Sequence, residues 1–80
     1  MAGTTSSQIL AEMVASVLSV AVRPGDAVDV GDTVILLESM KMEIPVLAER
    51  PGTVDEVRVV VGDVIQEGDV LVVLSHTAGH

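Results

Sequence analysis

No phenylalanine, tyrosine or tryptophan occurs in this 80-residue chain, and no cysteine. Without aromatics there is no platform on which nucleic-acid bases could stack, and any core must be assembled from Val, Leu, Ile, Ala and Met. Without cysteine there is no disulfide framework, thiol chemistry or thiolate metal site, which is compatible with a reducing compartment. Positive charge is scarce too: four Lys and Arg stand against twelve Asp and Glu, a net charge of −8. Such a chain repels nucleic-acid phosphates and anionic membrane surfaces. No apolar run approaches the ~20 residues that cross a bilayer, and no charged leader with an apolar segment opens the sequence. The expectation is a cytoplasmic protein with neither nucleic-acid nor membrane partners.

What is present is aliphatic. Hydrophobic residues make up 49% of the chain, and the wealth of β-branched Val favours strands. A domain of this size buries only about 60–65% of its unfolded surface, which leaves little core to spare for an active-site cavity. Two copies of one unit fill the sequence. Gly25-Asp26 recurs as Gly62-Asp63 and Gly31-Asp32 as Gly68-Asp69, in each case 37 residues on. The same offset aligns Ile9-Leu10-Ala11-Glu12 with Val46-Leu47-Ala48-Glu49, the valines 17, 20 and 22 with 54, 57 and 59, and Val34 to Leu37 with Leu71 to Leu74, without a gap.

The repeat resolves an ambiguity. Ile9, Leu10, Met13, Val14, Val17 and Leu18 have a spacing that fits an amphipathic helix, but the aligned stretch of the second half contains Pro45, Pro51 and Gly52, which a helix does not accept. Strands are therefore expected in both halves, at roughly 8–13, 15–23, 27–30 and 33–38, and again at 44–49, 52–60, 64–67 and 70–74. The Gly-Asp pairs punctuate them as turns. This predicts an all-β domain of two packed sheets over residues 8–75, with half-repeats at about 6–38 and 43–75. The small, polar segments 1–7 and 76–80 are expected to be flexible tails. An approximate two-fold axis would map position 41 onto positions 4 and 78, placing it at the end opposite the termini.

Position 41 holds the only lysine, at the centre of Glu38-Ser39-Met40-Lys41-Met42-Glu43. An enzyme that acylates this chain on a lysine side chain has one target. The chain must reverse between Leu37 and Ile44, yet this stretch contains no Gly, Asn, Asp or Pro. Tight hairpins place φ > 0 at one or both central residues, where Met-Lys would cost roughly 1–2 kcal/mol per residue. A local rule broken once in an otherwise consistent sequence marks a functional position.

With Met40-Lys41-Met42 the residues resemble the attachment motif of biotin carboxyl carrier domains. The resemblance runs from about Ile9 to Leu74 and includes the two-fold repeat and Pro51-Gly52-Thr53-Val54. It implies a flattened barrel-like sandwich of two four-stranded antiparallel sheets with Lys41 at an exposed hairpin tip. It also implies that biotin protein ligase joins biotin covalently to Lys41, Met40 and Met42 forming the rest of the attachment motif. The tethered biotin would then carry carboxylate between separate biotin carboxylase and carboxyltransferase subunits, making the chain a carrier rather than an enzyme. Lysine amines are protonated at neutral pH, so the ligase has to remove a proton as well as supply the activated acyl group. Three departures stand out: Ser39 where alanine is usual, Val14-Ala15 where the second half keeps Pro51-Gly52, and no insertion in the first half. The last makes the chain similar to the thumbless carriers.

Plainer readings exist for each residue. A lone lysine is most often a solvated surface group, and two methionines two apart on a strand are most often core fillers, with Met42 as ready to pack inward as to face a ligase. Glu38 and Glu43 read as solvated charges, and His76 and His80 as exposed residues of the C-terminal tail. No metal set and no Gly-rich phosphate-binding pattern is present. Two other functions compete. Lipoyl domains share the fold and the lysine position but place a polar residue, often acidic, directly before it, where this chain has Met40. An unmodified adaptor module of the same fold is the third possibility.

Overall fold

The structure, a computed structural model, describes residues 4–77 of the 80. Eight strands follow one another: β1 (Thr4–Leu10), β2 (Ala15–Val20), β3 (Ala27–Val28), β4 (Thr33–Ser39), β5 (Met42–Leu47), β6 (Gly52–Val57), β7 (Val64–Ile65) and β8 (Val70–Thr77). They form two antiparallel four-stranded sheets, ordered β1-β8-β6-β3 and β5-β4-β2-β7. The expected all-β sandwich is what the chain adopts. No helix of the described residues is long and apolar enough to cross a membrane.

A shift of 37 residues, forward for strands of the first half and backward for those of the second, turns one sheet into the other. β1, β8, β6 and β3 map onto β5, β4, β2 and β7, and each sheet contains strands from both halves. Even the irregularities repeat: the bulge between Val17 and Ser19 on β2 recurs between Val54 and Glu56 on β6. Between the sheets lie Val17, Val34, Ile35, Leu37, Val54, Ile65, Leu71, Val72 and Leu74, none more than 2% exposed. This aliphatic core interdigitates without a single ring.

The four Gly-Asp pairs close four identical turns. In each, the Asp carboxylate accepts the N–H of the residue three positions earlier, at Arg23, Asp29, Val60 and Gln66. Each Asp N–H also donates to the carbonyl of that same residue. The glycines have φ between +89° and +96°, and nothing lies within 4 Å of where a Cβ would stand at any of them. Glycine is required there by backbone conformation and not by lack of room.

The strand limits differ from expectation chiefly at the ends. Residues 4–7, expected in a flexible tail, are the first half of β1 and pair with Leu74 to Thr77 of β8. His76, expected to be exposed, is 5% exposed. Its Nδ1 donates to the Pro51 carbonyl at 2.6 Å, and the Ser7 hydroxyl lies 2.6 Å from Nε2. A carbonyl only accepts, so Nδ1 carries the proton and the hydroxyl can donate to Nε2. The ring lies against Gly52, where an added Cβ would come within 2.8 Å of Nδ1 and of the Ser75 carbonyl. Ser39 takes the equivalent place in the first half, donating to the Val14 carbonyl at 3.3 Å. The Pro51-Gly52 and Val14-Ala15 difference thus has a packing reason: the half with a histidine needs a glycine beneath it, and the half with a serine accepts an alanine. Residues 1–3 and 78–80, with His80, lie outside the described residues.

Two stability measurements check this arrangement. Removing residues 1–7 takes Thr4 to Ser7 of β1 from β8 and deprives His76 of its serine, so stability measured by urea unfolding should fall by at least about 2 kcal/mol; a mere tail would leave it unchanged. Gly52→Ala should also cost about 2 kcal/mol or more, because one of the groups in the way is backbone, and shortening the ring with His76→Ser in the same chain should restore part of that loss.

Candidate functional site

The β4–β5 ladder determines how Lys41 is presented. Glu38 pairs with Glu43 and Ser39 with Met42, so the reversal consists of Met40 and Lys41 alone. Both have positive φ, 53° and 66°, and among the described residues no other non-glycine residue is so placed. Two consecutive left-handed residues match the twist of a two-residue hairpin of the type I′ kind, which ordinarily selects Asn-Gly. Here the turn holds two long side chains, at roughly 1–2 kcal/mol of strain per residue. The ladder behind the turn, with the Ser39 hydroxyl on the Val14 carbonyl, imposes that backbone.

The tip stands at one end of a molecule 46 Å long and under 20 Å across. From Thr4 the chain runs along β1 and continues through residues 11–14 to the hairpin base, where Val14 meets Ser39. The paired ends Thr4 and Thr77 therefore lie at the far end, as the repeat predicts for Lys41.

Lys41 is exposed. Among the described residues the one ion pair is Arg58 with Glu56, so neither Glu38 nor Glu43 holds the amine, although both flank it. Met40 is 91% and Met42 64% exposed, so neither fills the core. The two methionines and the lysine form a protruding, apolar-flanked amine with no wall around it. Such a tip cannot catalyse by enclosure; it can be inserted into another protein's site.

Sequence reasoning missed His76, which is brought into contact with Ser7 although 69 residues separate them. A serine and a histidine at hydrogen-bonding distance could suggest a nucleophile and its base. The ring is buried, however, and both nitrogens are engaged in holding β8 to β1 and to the residue before β6. It is a clasp between strands. No group of three or more metal-ligating side chains occurs among the described residues.

Residues 5–74 match the family model described as "Biotin-requiring enzyme". The chain belongs to this biotin/lipoyl family. It is similar to the biotinylated protein TB7.3 of Mycobacterium tuberculosis, 64% identical over 42 residues, which are 52% of this chain and 59% of that protein. The homologue in Mycolicibacterium smegmatis is 62% identical over the same length. The matched stretch thus spans a little over half of these relatives. Among solved structures, a single-chain, multi-domain long-chain acyl-CoA carboxylase superposes with a TM-score of 0.83 and 28% identity, covering 89% of this chain and 7% of the other. The urea carboxylase of Kluyveromyces lactis gives 0.82 and 30%, covering 88% and 6%. The lipoyl domain of the 2-oxoglutarate dehydrogenase complex of Azotobacter vinelandii gives 0.67 and 30%, covering 76% and 77%.

The strain at the tip is measurable. Met40→Gly and Lys41→Gly should each raise stability in urea by about 0.5–1 kcal/mol, the relief of left-handed strain less the added flexibility of the unfolded glycine. The same changes at Glu38 and Glu43, which lie in the ladder, should lower it.

Proposed function

We propose that this chain is a biotin carboxyl carrier in which Lys41 is the attachment point, modified by a biotin protein ligase. The observation that carries the reading is the exposed, ion-pair-free lysine between two exposed methionines at the left-handed tip of a biotin-family fold. The residues fit the group. Lys41 is exposed and lies in the turn beyond the last rung of the β4–β5 ladder, leaving one lysine side chain plus the biotin arm to sweep outside the domain. When attached, biotin supplies a ureido nitrogen that takes up and releases carboxylate. The chain's own part is to offer Lys41 to the ligase, to keep the tip rigid through the β4–β5 ladder, and to hold the arm at high local concentration near its destination.

The destinations in this reading are a biotin carboxylase and a carboxyltransferase, neither of which these 80 residues have room to contain. Support comes from the structural neighbours, both carboxylases in which a domain of this shape makes up 6–7% of a much longer chain. A carrier of this kind works where the carboxylases are, which for a cysteine-free, acidic protein we place in the cytoplasm. The lipoyl alternative draws on the likeness to the Azotobacter lipoyl domain. Met40 before the lysine and the biotinylated relatives weigh against it.

Parallel incubation with biotin protein ligase and with lipoate ligase, each with its cofactor and ATP, separates the two. The expected result is one biotinyl mass increment, located at Lys41 by peptide mapping, no lipoyl increment, and no modification of Lys41→Arg by either enzyme. Modification by the lipoate enzyme alone reverses the assignment, and full biological function of Lys41→Arg in a carboxylase assay would favour the unmodified adaptor.

A further inference from the structure

The internal repeat supplies a control for what the fold itself demands, since each residue near the Lys41 tip has an equivalent 37 positions away at the far end. One rung in from the tip, a row of the sheet runs Glu43, Glu38, Ser16, Val64 across β5, β4, β2 and β7. Residues paired in this way present their side chains on one face. The equivalent row of the other sheet is Ser6, Ser75, Thr53, Ala27. The fold is thus satisfied by small, neutral side chains where the tip end has two directly opposed carboxylates, a destabilising arrangement, and a large exposed valine.

The same contrast holds beside that row. Val14, whose carbonyl holds Ser39, is equivalent to Pro51. The turn Val60-Val61-Gly62-Asp63 is equivalent to Arg23-Pro24-Gly25-Asp26, and both have the same Asp-to-backbone closure. That turn abuts the tip sheet, for Gly62 donates to the Val17 carbonyl and the Asp63 carbonyl accepts from Val17. Val14, Val60, Val61 and Val64 are 62–69% exposed, and two adjacent valines are poor turn formers compared with Arg-Pro. These valines reach the hairpin base at Val14, whose carbonyl takes the Ser39 hydroxyl, and the carboxylates of Glu38 and Glu43 stand in the same row as Val64.

We infer that Val14, Val60, Val61 and Val64, rimmed by Glu38, Glu43 and Asp63, form a docking surface for the enzyme that acylates Lys41, and that this partner carries an apolar patch ringed by Lys or Arg. The inference rests on the carrier reading above. Three observations select this occupant. A second copy of a −8 chain meets like charge across the contact. The surface meets the base of the acceptor hairpin where Val14 holds Ser39. An acylating enzyme must bring its reacting atom to within one lysine side chain of the tip, so it touches the surrounding face, whereas a protein that meets the end of the biotin arm stands farther off.

The test transplants the far end's own residues. In the triple variant V60R/V61P/V64A every new side chain already occurs at the equivalent position, and Pro suits that turn, so its thermal melting point should match or exceed the parent's. Steady-state biotinylation by a biotin protein ligase is then measured against carrier concentration. The expected result is a KM raised about tenfold or more, with kcat nearly unchanged and a wild-type KM that rises with salt. Acylation of Lys41 by an N-hydroxysuccinimide ester of biotin, which needs no docking, should proceed equally in both. The reciprocal variant R23V/P24V/A27V should leave KM unaltered. An unchanged KM in a folded triple variant overturns the surface alone, as does sedimentation of the wild type as a dimer that the triple variant dissolves. Absence of ligase-dependent biotin from the wild type overturns the carrier reading and the surface with it.

Discussion

Neither half of this chain can bury its own apolar face. Each sheet takes two strands from the first half and two from the second, so the core exists only once residues about seventy apart along the chain have met. The turns enforce the same dependence: Gly25 and Asp26 bond to Val54, while Gly62 and Asp63 bond to Val17. Complementary volumes follow. Val28 answers Ile65, Val34 answers Leu71 and Ile35 answers Val72, all buried, the larger member lying in the first half as readily as in the second. An aliphatic core without rings is sufficient because two half-cores interlock at close-packed density.

Near-perfect internal symmetry gives its breaches meaning. At the far end the breach is structural: His76 over Gly52 clasps β8 to β1 where Ser39 over Ala15 makes a lighter version of the same bond. At the tip the breach is of another kind. The chain is continuous there, through Met40 and Lys41, where the other sheet has two strand ends side by side, and the connection is made in a backbone conformation that neither residue favours. Strain of that size persists only where the surrounding structure over-determines it, and the β4–β5 ladder does so.

The chemistry of such a domain lies outside it. Its site is a protrusion, with a lysine free of carboxylate partners and flanked by methionines whose soft side chains stand in water. A rigid tip on an elongated body is suited to entering other proteins' sites. The chain is acidic, and exposed valines distinguish the end that bears the lysine from its copy.

The 37-residue repeat, the Gly-Asp turns, the all-β class and the placing of Lys41 at a φ > 0 reversal were all readable from the chain, because each is local or periodic: glycine conformation, β-branched content and spacing act over a few residues. Membership of the biotin/lipoyl family was readable because the run Met40-Lys41-Met42 and the repeat around it are written along the chain. Only tertiary structure decided that Thr4 to Ser7 form a strand, since a run of Thr and Ser has no alternation to announce one and is ordered by β8 about seventy residues away. The same distance hid His76, whose neighbours along the chain are polar and whose ring is held by Ser7 and Pro51 against Gly52. Whether Met42 was covered or exposed was likewise undecidable from spacing: it shares the strand face of Ile44 and Val46, which pack against the core. Its pairing with Ser39 puts it on the last rung, past the edge of the core and 64% exposed, at the end where the lysine stands.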